Sequence, residues 1–556
     1  MTKKRHPVVC EILKQRGITE PEDIEEFLSE KPARTYDPFL LRNMEEGVDF
    51  LLSAVKRDKR ICIYGDYDVD GVTSAALLVQ TLRHLTDRVS WYIPSRFDEG
   101  YGLNKEAIQN ILNEGGQVVV TVDCGSVSAE EVAFAQASGL EILVTDHHNI
   151  EGRAADCLII NPKQAGERYP FAGLSGCGVA FKLAQALQRK TDMPKRVLQD
   201  LLDLVGLATI ADIVPLVDEN RTIVKYGLHA LNAAKRPGIR ALAEKAGLAG
   251  REIESDTVAY VLAPHINAAG RMGEAKDVVE MLLSHDEAAI DRIADVLVSQ
   301  NTLRKKTQEE TFAFCAGLVE ERFAEDPICV INAGTAHEGI TGIVAGKLKD
   351  KYGRPVLILT ESHDVDGKTV LKGTGRSIAG VDLYKLLEKY GLFFEKFGGH
   401  AMACGFSLYA ERESAFRQGL IADLHEMIAK QPDLLASATH ADLSLRPDDI
   451  TIELAKQLNT LAPFGNGNPA PLFALHGQRP EYVVFMGETE QHARFRAGGL
   501  SCVLFRTAQE HGEALQGGCA VTLVGRPSLD RWNGRERVQF IVETIEPERG
   551  ENGCLS

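Results

Sequence analysis

Short runs of consecutive apolar residues alternate with helix-like segments in the first third of the chain. The strand-like runs between residues 60 and 161 are RICIYG, VSWYIP, QVVVTV, LEILVT and CLIIN, and segments such as SAALLVQTLRHL and NKEAIQNILNE separate them. Continuously apolar strands that alternate with helices are typical of a parallel sheet covered on both faces. The pattern therefore predicts a doubly wound α/β domain.

The pattern changes further along the chain. From about 277 to 322 a helical period runs without proline, which predicts one long helix or two helices end to end. A second α/β pattern follows, with PICVINA, HEGITGIVAGKL and RPVLILT. After about 440, short strand-like runs with glycine and proline turns predict a small antiparallel barrel.

At 556 residues the chain is too long for one hydrophobic core, so we expect several domains. The patterns divide it into five parts. They are an N-terminal helical segment (1–45), a parallel-sheet domain (46–216), a helical region with a long connecting helix (217–324), a second α/β domain (325–432) and a barrel (440–546). In the first part, Thr19 and Glu22 form a plausible capping box ahead of IEEFL.

Three of the predicted strands end in acidic or histidine residues, in GDYDVDG, TVDCG and TDHH. In a parallel sheet such ends converge at the edge where ligands bind. A carboxylate at the end of a strand is ordinarily a helix cap or a turn residue. However, Asp66, Asp68 and Asp70 alternate so closely that their carboxylates repel one another unless a cation or protons lie between them. Clustered oxygen ligands with one imidazole favour Mg²⁺ or Mn²⁺.

Two divalent ions that share a carboxylate can promote phosphoryl displacement, and they need enough anionic ligands to offset their charge. Five side chains meet this need, with Asp123 as the candidate bridge: Asp68, Asp70, Asp123, His147 and Asp212. The helix-like stretch 197–216 stops at Pro215, which places Asp212 near a helix end, where a purely helix-terminal role is the alternative.

The remaining polar residues of this group receive supporting or catalytic roles. Asp66 and Asp146 are expected to hydrogen-bond the ligands and backbone amides and so to hold them still. His148 is expected to contact a phosphate or to donate a proton, with a packed structural histidine as the alternative.

Glycine-rich segments and arginines further along predict phosphate contacts. GTGRSIAG combines a flexible backbone with Arg376 and Ser377, and FGGH places Gly398 and Gly399 beside His400. Arg96 and Arg271 could bind a phosphate through two parallel hydrogen bonds. Together these residues suggest a clamp for a terminal phosphate.

The net charge of −17 argues weakly against a nucleic-acid partner, although acids that hold cations contribute to that number. The sign changes in VTLVGRPSLDRWNGRERVQF, which predicts a basic, nucleic-acid-binding face on the barrel. Its residues are Arg526, Arg531, Trp532, Arg535 and Arg537.

The eleven cysteines are scattered and never form CxxC, which favours buried thiols in a reducing compartment. No apolar run approaches the length of a membrane span, and the N-terminus lacks the apolar core of a signal peptide. We therefore expect a cytoplasmic protein without a membrane partner. We also expect a monomer.

The motifs GDYDVDG, TVDCG, TDHH and YPFAGLSGCGVAFKL together resemble the DHH phosphoesterases. NAAGRMG, GTGRSIAG, EKFGGHAMACGFSL and PFGNGNPAP extend the resemblance over most of residues 8 to 545. It implies that the parallel-sheet domain is the DHH domain, the second α/β domain is DHH-associated, and the barrel is an oligonucleotide-binding (OB) fold.

By the same resemblance, the metal set falls on the five residues above, with Asp66 in support and His148 near the scissile phosphate. A 5′-phosphate pocket maps to Arg96, Arg271, Arg376 and Ser377, with Gly398, Gly399 and His400 on the opposing domain. One departure is Tyr64, where DHH-type pyrophosphatases have a histidine ligand. It predicts two ions, Mn²⁺ or Mg²⁺, of unequal affinity.

The resemblance implies a metal-dependent 5′-to-3′ exonuclease that hydrolyses single-stranded DNA to mononucleotides in repair and recombination. Single-strand-binding protein and a helicase are the expected partners. One alternative is a phosphodiesterase for short oligoribonucleotides or cyclic dinucleotides, which would need neither the barrel nor the long helix. The other is a non-catalytic replication or repair scaffold, against which the complete set of acids and histidines weighs.

Overall fold

The computed structural model describes residues 5–96, 99–100, 102–364, 366–435, 440–532 and 535–548, with side chains except at positions 531, 532 and 535. The chain forms two compact units. The first comprises the described residues within 1–263, 282–285 and 439–556, and the second those within 264–281 and 286–438.

Among the described residues, three α-helices precede the first sheet: α1 (Pro7–Gln15), α2 (Pro21–Leu28) and α3 (Met44–Lys56). The predicted capping box is wrong, because α2 begins at Pro21 with Glu20 as its N-cap and no side-chain cap. Proline suits the first helical position, since its fixed φ is already helical and its missing N–H would have no partner there. Ile12 and Leu13 of α1 are buried in the same core as the C-terminal sheet.

The predicted doubly wound domain is confirmed as a five-stranded sheet with the order β2-β1-β3-β4-β5, in which every neighbouring pair is parallel. Its strands are β1 (Ile61–Gly65), β2 (Val89–Tyr92), β3 (Val118–Val122), β4 (Glu141–Thr145) and β5 (Leu158–Ile160). The helices between them are α4 (Val69–Leu82), α5 (Lys105–Asn113) and α6 (Ala129–Ala137). Strands β1 and β3 are buried along their whole length, which explains their continuous apolar runs.

A helical region follows the sheet. Its α-helices are α7 (Gly176–Lys190), α8 (Arg196–Gln199), α9 (Leu202–Ala211), α10 (Asp218–Asn232), α11 (Pro237–Ala243), α12 (Ser255–Thr257), α13 (Ala263–Met272), α14 (Lys276–Leu283) and α15 (Glu287–Arg322). Helix α15 contains 36 residues and confirms the long helix predicted from the proline-free period.

The second unit contains a mixed sheet with the order β6-β7-β8-β10-β9, in which only β6 and β7 are parallel. Its strands are β6 (Cys329–Asn332), β7 (Val356–His363), β8 (Thr369–Arg376), β9 (Phe394–His400) and β10 (Ala403–Tyr409). Its helices beyond α15 are α16 (Glu338–Tyr352), α17 (Leu383–Glu388) and α18 (Glu413–Lys430).

The last part is a seven-stranded sheet with the order β11-β12-β16-β17-β15-β14-β13. The strands are β11 (Leu443–Ser444), β12 (Phe473–Gln478), β13 (Glu481–Met486), β14 (His492–Ala497), β15 (Leu500–Leu504), β16 (Val521–Trp532) and β17 (Arg535–Pro547), with helices α19 (Ile452–Asn459) and α20 (Gly512–Gln516). Two of its pairs, β11 with β12 and β15 with β17, are parallel, so the sheet is not purely antiparallel as the turns predicted. Each parallel pair joins strands separated by a helix rather than by a tight turn.

Within the described residues, no helix is both long and apolar enough to cross a bilayer.

Candidate metal centre

The acidic residues predicted as metal ligands cluster where the winding of the sheet reverses. Strands β1 and β3 are neighbours, and the chain leaves β1 for β2 on one side and continues from β3 to β4 on the other. The crevice at the carboxyl ends of two such strands is the usual ligand site of a doubly wound sheet. Asp66, Asp68 and Asp70 follow β1, and Asp123 follows β3, so the fold brings them together.

Helix termini hold two of these acids. Asp68 is the N-cap of α4, and its carboxylate accepts a hydrogen bond from the Gly71 amide at 3.1 Å. Asp70 accepts two amide hydrogen bonds at the start of α7, from Gly176 at 2.6 Å and Cys177 at 2.8 Å. The ordinary role of a strand-end acid as a helix cap therefore coexists here with membership of the cluster.

His147 is oriented with one ring nitrogen free for a cation. Its Nδ1 lies 3.0 Å from the Leu174 carbonyl oxygen, an arrangement that places the proton on Nδ1 and a lone pair on Nε2. Nε2 lies 3.1 Å from Asp123 Oδ1, 3.5 Å from Asp212 Oδ2 and 3.7 Å from Asp70 Oδ2. Among the described residues, His147 Nε2, Asp123 Oδ1 and Asp212 Oδ2 are buried without a hydrogen-bond partner.

The potential ligand atoms form three overlapping groups, and within each group the atoms lie no more than 4.8 Å from one another. They are Asp70 with His147 and Asp212, Asp66 with Asp68 and Asp123, and Asp123 with His147 and His148. Asp123 belongs to two groups, as expected for a bridging ligand. Asp66 also offers an oxygen to its group, although it was predicted as a supporting residue.

The pKa values of the clustered acids are raised, which shows that a nearby positive charge would stabilise their ionised forms. Burial, followed by the negative charge of Asp68, raises the pKa of Asp66 to about 8 and that of Asp70 to about 7. Burial, followed by the charge of Asp70, raises the pKa of Asp212 to about 8 and that of Asp123 well above its ordinary value. Carboxylates crowded in this way are stabilised by protons or by divalent cations. The unpaired atoms and the oxygen-rich donor set therefore fit Mg²⁺ or Mn²⁺.

Asp146 lies behind the cluster and holds the loop that carries both histidines. Its Oδ1 accepts hydrogen bonds from the amides of His147 and His148, and its Oδ2 accepts one from the Ser126 amide. Burial opposes ionisation of Asp146, but the hydrogen bond and charge of His148 outweigh it and lower its pKa.

The His148 imidazole lies beside the cluster rather than within the core. Its Nδ1 is 2.8 Å from Asp146 Oδ1 and 3.9 Å from Asp123 Oδ1, and 40% of the side chain is exposed. Burial lowers the pKa of His148, but its interaction with Asp146 outweighs that effect and raises the pKa to about 9. A protonated, half-exposed imidazole in this place can donate to a bound anion.

Tyr64 does not reach the cluster. It is fully buried in β1, and its hydroxyl donates to the Gly102 carbonyl oxygen at 2.8 Å and accepts from Asn104 Nδ2 at 3.2 Å. The second ligand group accordingly consists of carboxylates only, whereas the first includes an imidazole.

The predicted phosphate-binding residues lie in both units. In the first, the guanidinium of Arg96 lies 5.3 Å from the centre of the Tyr67 ring, and its charge acts on Asp66. In the second, Arg271 Nη1 donates to the Gly339 carbonyl oxygen at 2.8 Å, and a Cβ on Gly342 would lie 2.8 Å from Arg376 Nη2. Both arginines thus pack against the first turns of α16.

Ser377 directly follows strand β8, and the FGGH segment lies at the end of strand β9. The Ser377 hydroxyl is buried and donates to the Val381 carbonyl oxygen at 2.7 Å, which leaves only its acceptor lone pairs. Gly398, Gly399 and His400 form the end of strand β9 at the edge of the sheet, and Gly398 and His400 are exposed. Gly399 has a φ of 140°, and a Cβ there would lie 2.4 Å from the Ala403 carbonyl oxygen.

Two of the five residues predicted to form a basic face on the barrel, Arg526 and Arg537, have side chains among the described residues. Arg526 faces two acids, Asp256 at 3.9 Å and Glu543 at 3.8 Å, which offset its charge. Arg537 is exposed, and the side chains of Arg531, Trp532 and Arg535 lie outside the described residues. A different group on the same sheet was not predicted. Its members are the 77%-exposed Tyr482 on β13 and the exposed Arg494 and Arg496 on β14.

One residue that supports the cluster was not predicted from the sequence. Asn466 donates to the Ile213 carbonyl oxygen at 2.7 Å and accepts from the Leu216 amide at 2.7 Å, and so holds the turn after Asp212. The motif PFGNGNPAP contains Asn466 and was the available signal.

Comparison with known proteins agrees with these observations. The profile of the DHH family, N-terminal domain, matches residues 60–209, that of the DHHA1 domain matches 325–426, and that of the RecJ OB domain matches 441–544. The chain is 35% identical over 550 residues to the single-stranded-DNA-specific exonuclease RecJ of Bacillus subtilis, covering 98% of this chain and 68% of that protein. It is 32% identical to the RecJ exonuclease of Escherichia coli, covering 97% of this chain and 96% of that protein.

The fold is also that of a solved relative. The crystal structure of RecJ from Thermus thermophilus in complex with Mn²⁺ superimposes with a TM-score of 0.83 at 29% identity, covering 99% of this chain and 77% of that one. The predicted combination of a DHH domain, a second α/β domain and an OB domain is confirmed. The chain therefore belongs to the RecJ family of single-stranded-DNA-specific exonucleases.

Proposed function

We propose that this protein is a metal-dependent exonuclease that hydrolyses single-stranded DNA from its 5′ end and releases 5′-mononucleotides. The observation that carries the proposal is the buried cluster in which Asp123 Oδ1, His147 Nε2 and Asp212 Oδ2 face one another without hydrogen bonds. Its relatives are named single-stranded-DNA-specific exonucleases, which agrees with the chemistry of the cluster.

Each member of the cluster receives a role from its position. Asp70, His147 and Asp212 would hold one divalent ion, Asp66 and Asp68 a second, and Asp123 both. Ions bound in this way supply Lewis acidity for phosphodiester hydrolysis. Asp146 fixes the histidine loop, and the protonated His148 is positioned to donate a hydrogen bond to a phosphate oxygen or a proton to the leaving oxygen.

We propose two ions, Mn²⁺ or Mg²⁺, with unequal affinity. The group that contains His147 offers an imidazole and two carboxylates, whereas the other group offers carboxylates alone, and Tyr64 is engaged with Gly102. Calorimetric titration of the metal-free protein should give one tighter and one weaker site. Two equal, tight sites would contradict this part of the proposal.

The DNA contacts are proposed residue by residue. Arg96 lies beside the acid cluster, while Arg271 and Arg376 pack at the N-terminal end of α16, where phosphates are also favoured by the helix dipole. Gly398, Gly399 and His400 remain candidates for contacts with DNA phosphates, and Ser377, whose hydroxyl donates to Val381, is a candidate for holding the segment after Arg376. On the barrel, the aromatic ring of Tyr482 with Arg494 and Arg496 provides a surface for base stacking and backbone charge.

The decisive experiment is a time course on end-labelled single strands, either DNA or RNA, with Mn²⁺, Mg²⁺ or EDTA. We expect mononucleotides from 5′-phosphorylated DNA only in the presence of metal. The variant Asp123→Asn should lose hydrolysis and keep strand binding, whereas Asp156→Asn, an exposed acid of the same domain, should behave as the wild type. Hydrolysis by Asp123→Asn at the wild-type rate would refute the proposed centre.

The strand-length dependence of the rate separates this proposal from a phosphodiesterase for very short oligonucleotides. A protein that uses its barrel should cleave long strands faster than dinucleotides, since the barrel adds binding energy only to strands that reach it. A rate that is highest on dinucleotides would favour the alternative.

The wider context follows from the same proposal. We propose that the protein acts in DNA repair and recombination, with single-strand-binding protein and a helicase as partners. We also propose that the chain divides into the five parts 1–45, 46–216, 217–324, 325–432 and 440–546. Seven of the described cysteines are buried as free thiols, which supports a reducing compartment, the cytoplasm. We propose that the protein acts as a monomer.

A further inference from the structure

A cavity of about 330 Å³ lies within the first unit, away from the acid cluster. The N-terminal helices, the first turns of α10 and the loop before β12 surround it. Exposed residues, Gly17 and Asp23 among them, line one part of it, and the buried Arg221 and Asn468 line another. The cavity is therefore open to solvent and extends to buried polar groups.

Arg221 has hydrogen-bonding capacity that the protein does not use. The residue is 3% exposed, its Nε donates to the Phe27 carbonyl oxygen at 2.9 Å, and its Nη2 donates to that of Ala462 at 2.8 Å. Its Nη1 is buried without a hydrogen-bond partner among the described residues, and so is the hydroxyl of the adjacent Thr222. Both residues line the cavity. Buried donors are normally satisfied, so this pair indicates a missing acceptor.

The guanidinium of Arg221 packs against an aromatic ring rather than an acid, at 3.7 Å from the centre of the Phe27 ring. Arg16 donates to the side-chain oxygen of Asn468 and, at 2.6 Å, to the carbonyl oxygen of Pro469, and the charge of Asp442 acts on it from a distance. Neither Arg16 nor Arg221 forms an ion pair with a described residue. Burial, followed by the charge of Arg16, lowers the pKa of Arg221 to about 9. Lys225, one turn further along α10, has its pKa lowered to about 8 by burial and then by Arg221.

The acids of the cavity are occupied elsewhere. Asp23 pairs with Arg34 at 2.7 Å. Glu26 accepts hydrogen bonds at 2.7 Å from the amides of Ala33 and Arg34, and Asp218 accepts one from the Tyr36 hydroxyl at 3.1 Å. Each of these acids is thus engaged by a partner other than Arg16 or Arg221, so neither of the two cations is neutralised by an acid that lines the cavity.

We propose that this cavity binds a phosphate-monoester or inorganic phosphate anion through Arg221 Nη1, the Thr222 hydroxyl and Arg16. A guanidinium and a hydroxyl supply the charge-assisted hydrogen bonds that a phosphate group takes, and the volume suits a ligand up to the size of a mononucleotide. The mononucleotide is chosen as a probe because it is the product of the proposed reaction. In that respect alone the inference rests on the proposed function.

The bound anion would be connected to the metal centre through the chain itself. Val217 and Asp218 line the cavity and follow the turn that carries Asp212. Asn466 holds that turn from the loop that also contributes Gly467 and Asn468 to the cavity. An anion that orders this loop is expected to raise the affinity of the Asp212 site for metal, and metal is expected to raise the affinity for the anion equally.

The test measures anion binding to the full-length, metal-free protein in EDTA by calorimetry, with inorganic phosphate and with a deoxynucleoside 5′-monophosphate. Thr222→Val keeps the shape of the side chain and removes only the hydroxyl, so it should fold. We expect it, and separately Arg16→Gln, to weaken binding by about tenfold. The control Arg34→Gln removes the cavity arginine that already pairs with Asp23 and should leave the anion affinity nearly unchanged.

Asp123→Asn separates this site from the metal cluster, because it should bind the anion as the wild type does. Tighter binding of the mononucleotide than of phosphate would identify the product as the ligand, and equal affinities would identify the phosphate group alone. The proposal is overturned if wild type and Thr222→Val bind equally, or if no anion binds. Because the assay contains neither DNA nor metal, a failed nuclease assay would refute the proposed function without touching this result.

Discussion

Asp123 combines three properties that are rarely found together in a structural residue. Its φ of 61° is in the left-handed region, it is 2% exposed, and one of its carboxylate oxygens has no hydrogen-bond partner among the described residues. A left-handed conformation costs a residue with a side chain about 1–2 kcal/mol. Strain of this kind persists at functional sites where the surroundings hold the residue in place.

Gly176 is the neighbour that leaves room for Asp123. A Cβ at Gly176 would lie 2.6 Å from the Asp123 Cβ and 2.7 Å from its Oδ1. Gly176→Ala should therefore displace the shared ligand and lower both metal affinity and the hydrolysis rate, the latter by about a hundredfold. Gly346→Ala, in a helix with open space around the site, is the matched control. Wild-type metal binding by Gly176→Ala would contradict the tight approach.

The raised pKa values of the acid cluster predict how the metal-free protein responds to pH. The folded protein keeps protons on Asp66, Asp70 and Asp212 up to about pH 7–8, whereas the unfolded chain releases them near the ordinary value of 3.8. The contribution of these groups to stability is thus fully present below about pH 4 and is lost as pH rises through 7 and 8. His148, whose pKa is raised to about 9, acts in the same direction.

In EDTA, the midpoint temperature of thermal unfolding should accordingly decrease as the pH is raised from 6 to 8.5. The decrease should be smaller for Asp70→Asn than for the wild type. Saturating Mn²⁺ should remove most of the fall, since the ions replace the protons. Thermal unfolding followed by circular dichroism measures the effect. A metal-free midpoint that does not change over this range would show that the acids are not held protonated.

At the scale of secondary-structure elements, helix α7 connects the metal centre to a buried ion pair. Its first amides hold Asp70, and its Lys182 pairs with Glu219 of α10. Both members are at most 2% exposed, and Glu219 also accepts from Thr35 and Tyr36. Helix α10 follows the turn after Asp212, so the pair sets the spacing between the helix that holds Asp70 and the turn that carries Asp212.

Removing one partner of this pair should be costly. Lys182→Met leaves Glu219 charged in the interior, and we expect a loss of about 3 kcal/mol in the free energy of unfolding. The control is Arg189→Ala on the same helix, whose exposed pair with Asp37 should contribute less than about 1 kcal/mol. Urea unfolding of both variants tests the expectation. Equal, small losses would mean that Glu219 is satisfied without Lys182.

At the scale of the whole molecule, all candidate metal ligands belong to one of the two compact units. A ligand that binds only folded protein at 100 times its dissociation constant adds about 2.7 kcal/mol to the stability of the unit that holds it. Calorimetric scans with Mn²⁺ and with EDTA should therefore differ in one of two unfolding transitions. A metal-dependent shift of both transitions by the same amount would contradict separate unfolding.

Much of this organisation follows from local sequence. Continuously apolar runs at β1, β3 and β4 indicated buried parallel strands, and the acids directly after them indicated a ligand edge, because both signals depend on residues adjacent in the chain. The capping box failed for a local reason as well, since Pro21 favours the first helical position over Thr19 as a cap.

Other features depend on residues that are distant in the chain. Arg526 belonged to a basic stretch by sequence, yet Asp256 from a different helix faces it. The two parallel pairs of the last sheet, the approach of Gly176 to Asp123 and the hold of Asn466 on the Asp212 turn are of the same kind.

By itself, the sequence determined the alternation of elements, the acidic edge, the family and the oxygen-rich chemistry of the cations it can hold, because period, residue type and motif order are properties of the chain read locally. The tertiary structure alone decided which oxygens remain unpaired and which ring nitrogen of His147 carries the proton. It also decided that Arg16, Arg221 and Thr222 meet around one cavity. Those outcomes depend on which distant groups exclude water from one another, and burial determines whether a charge is paired, protonated or left to attract a ligand.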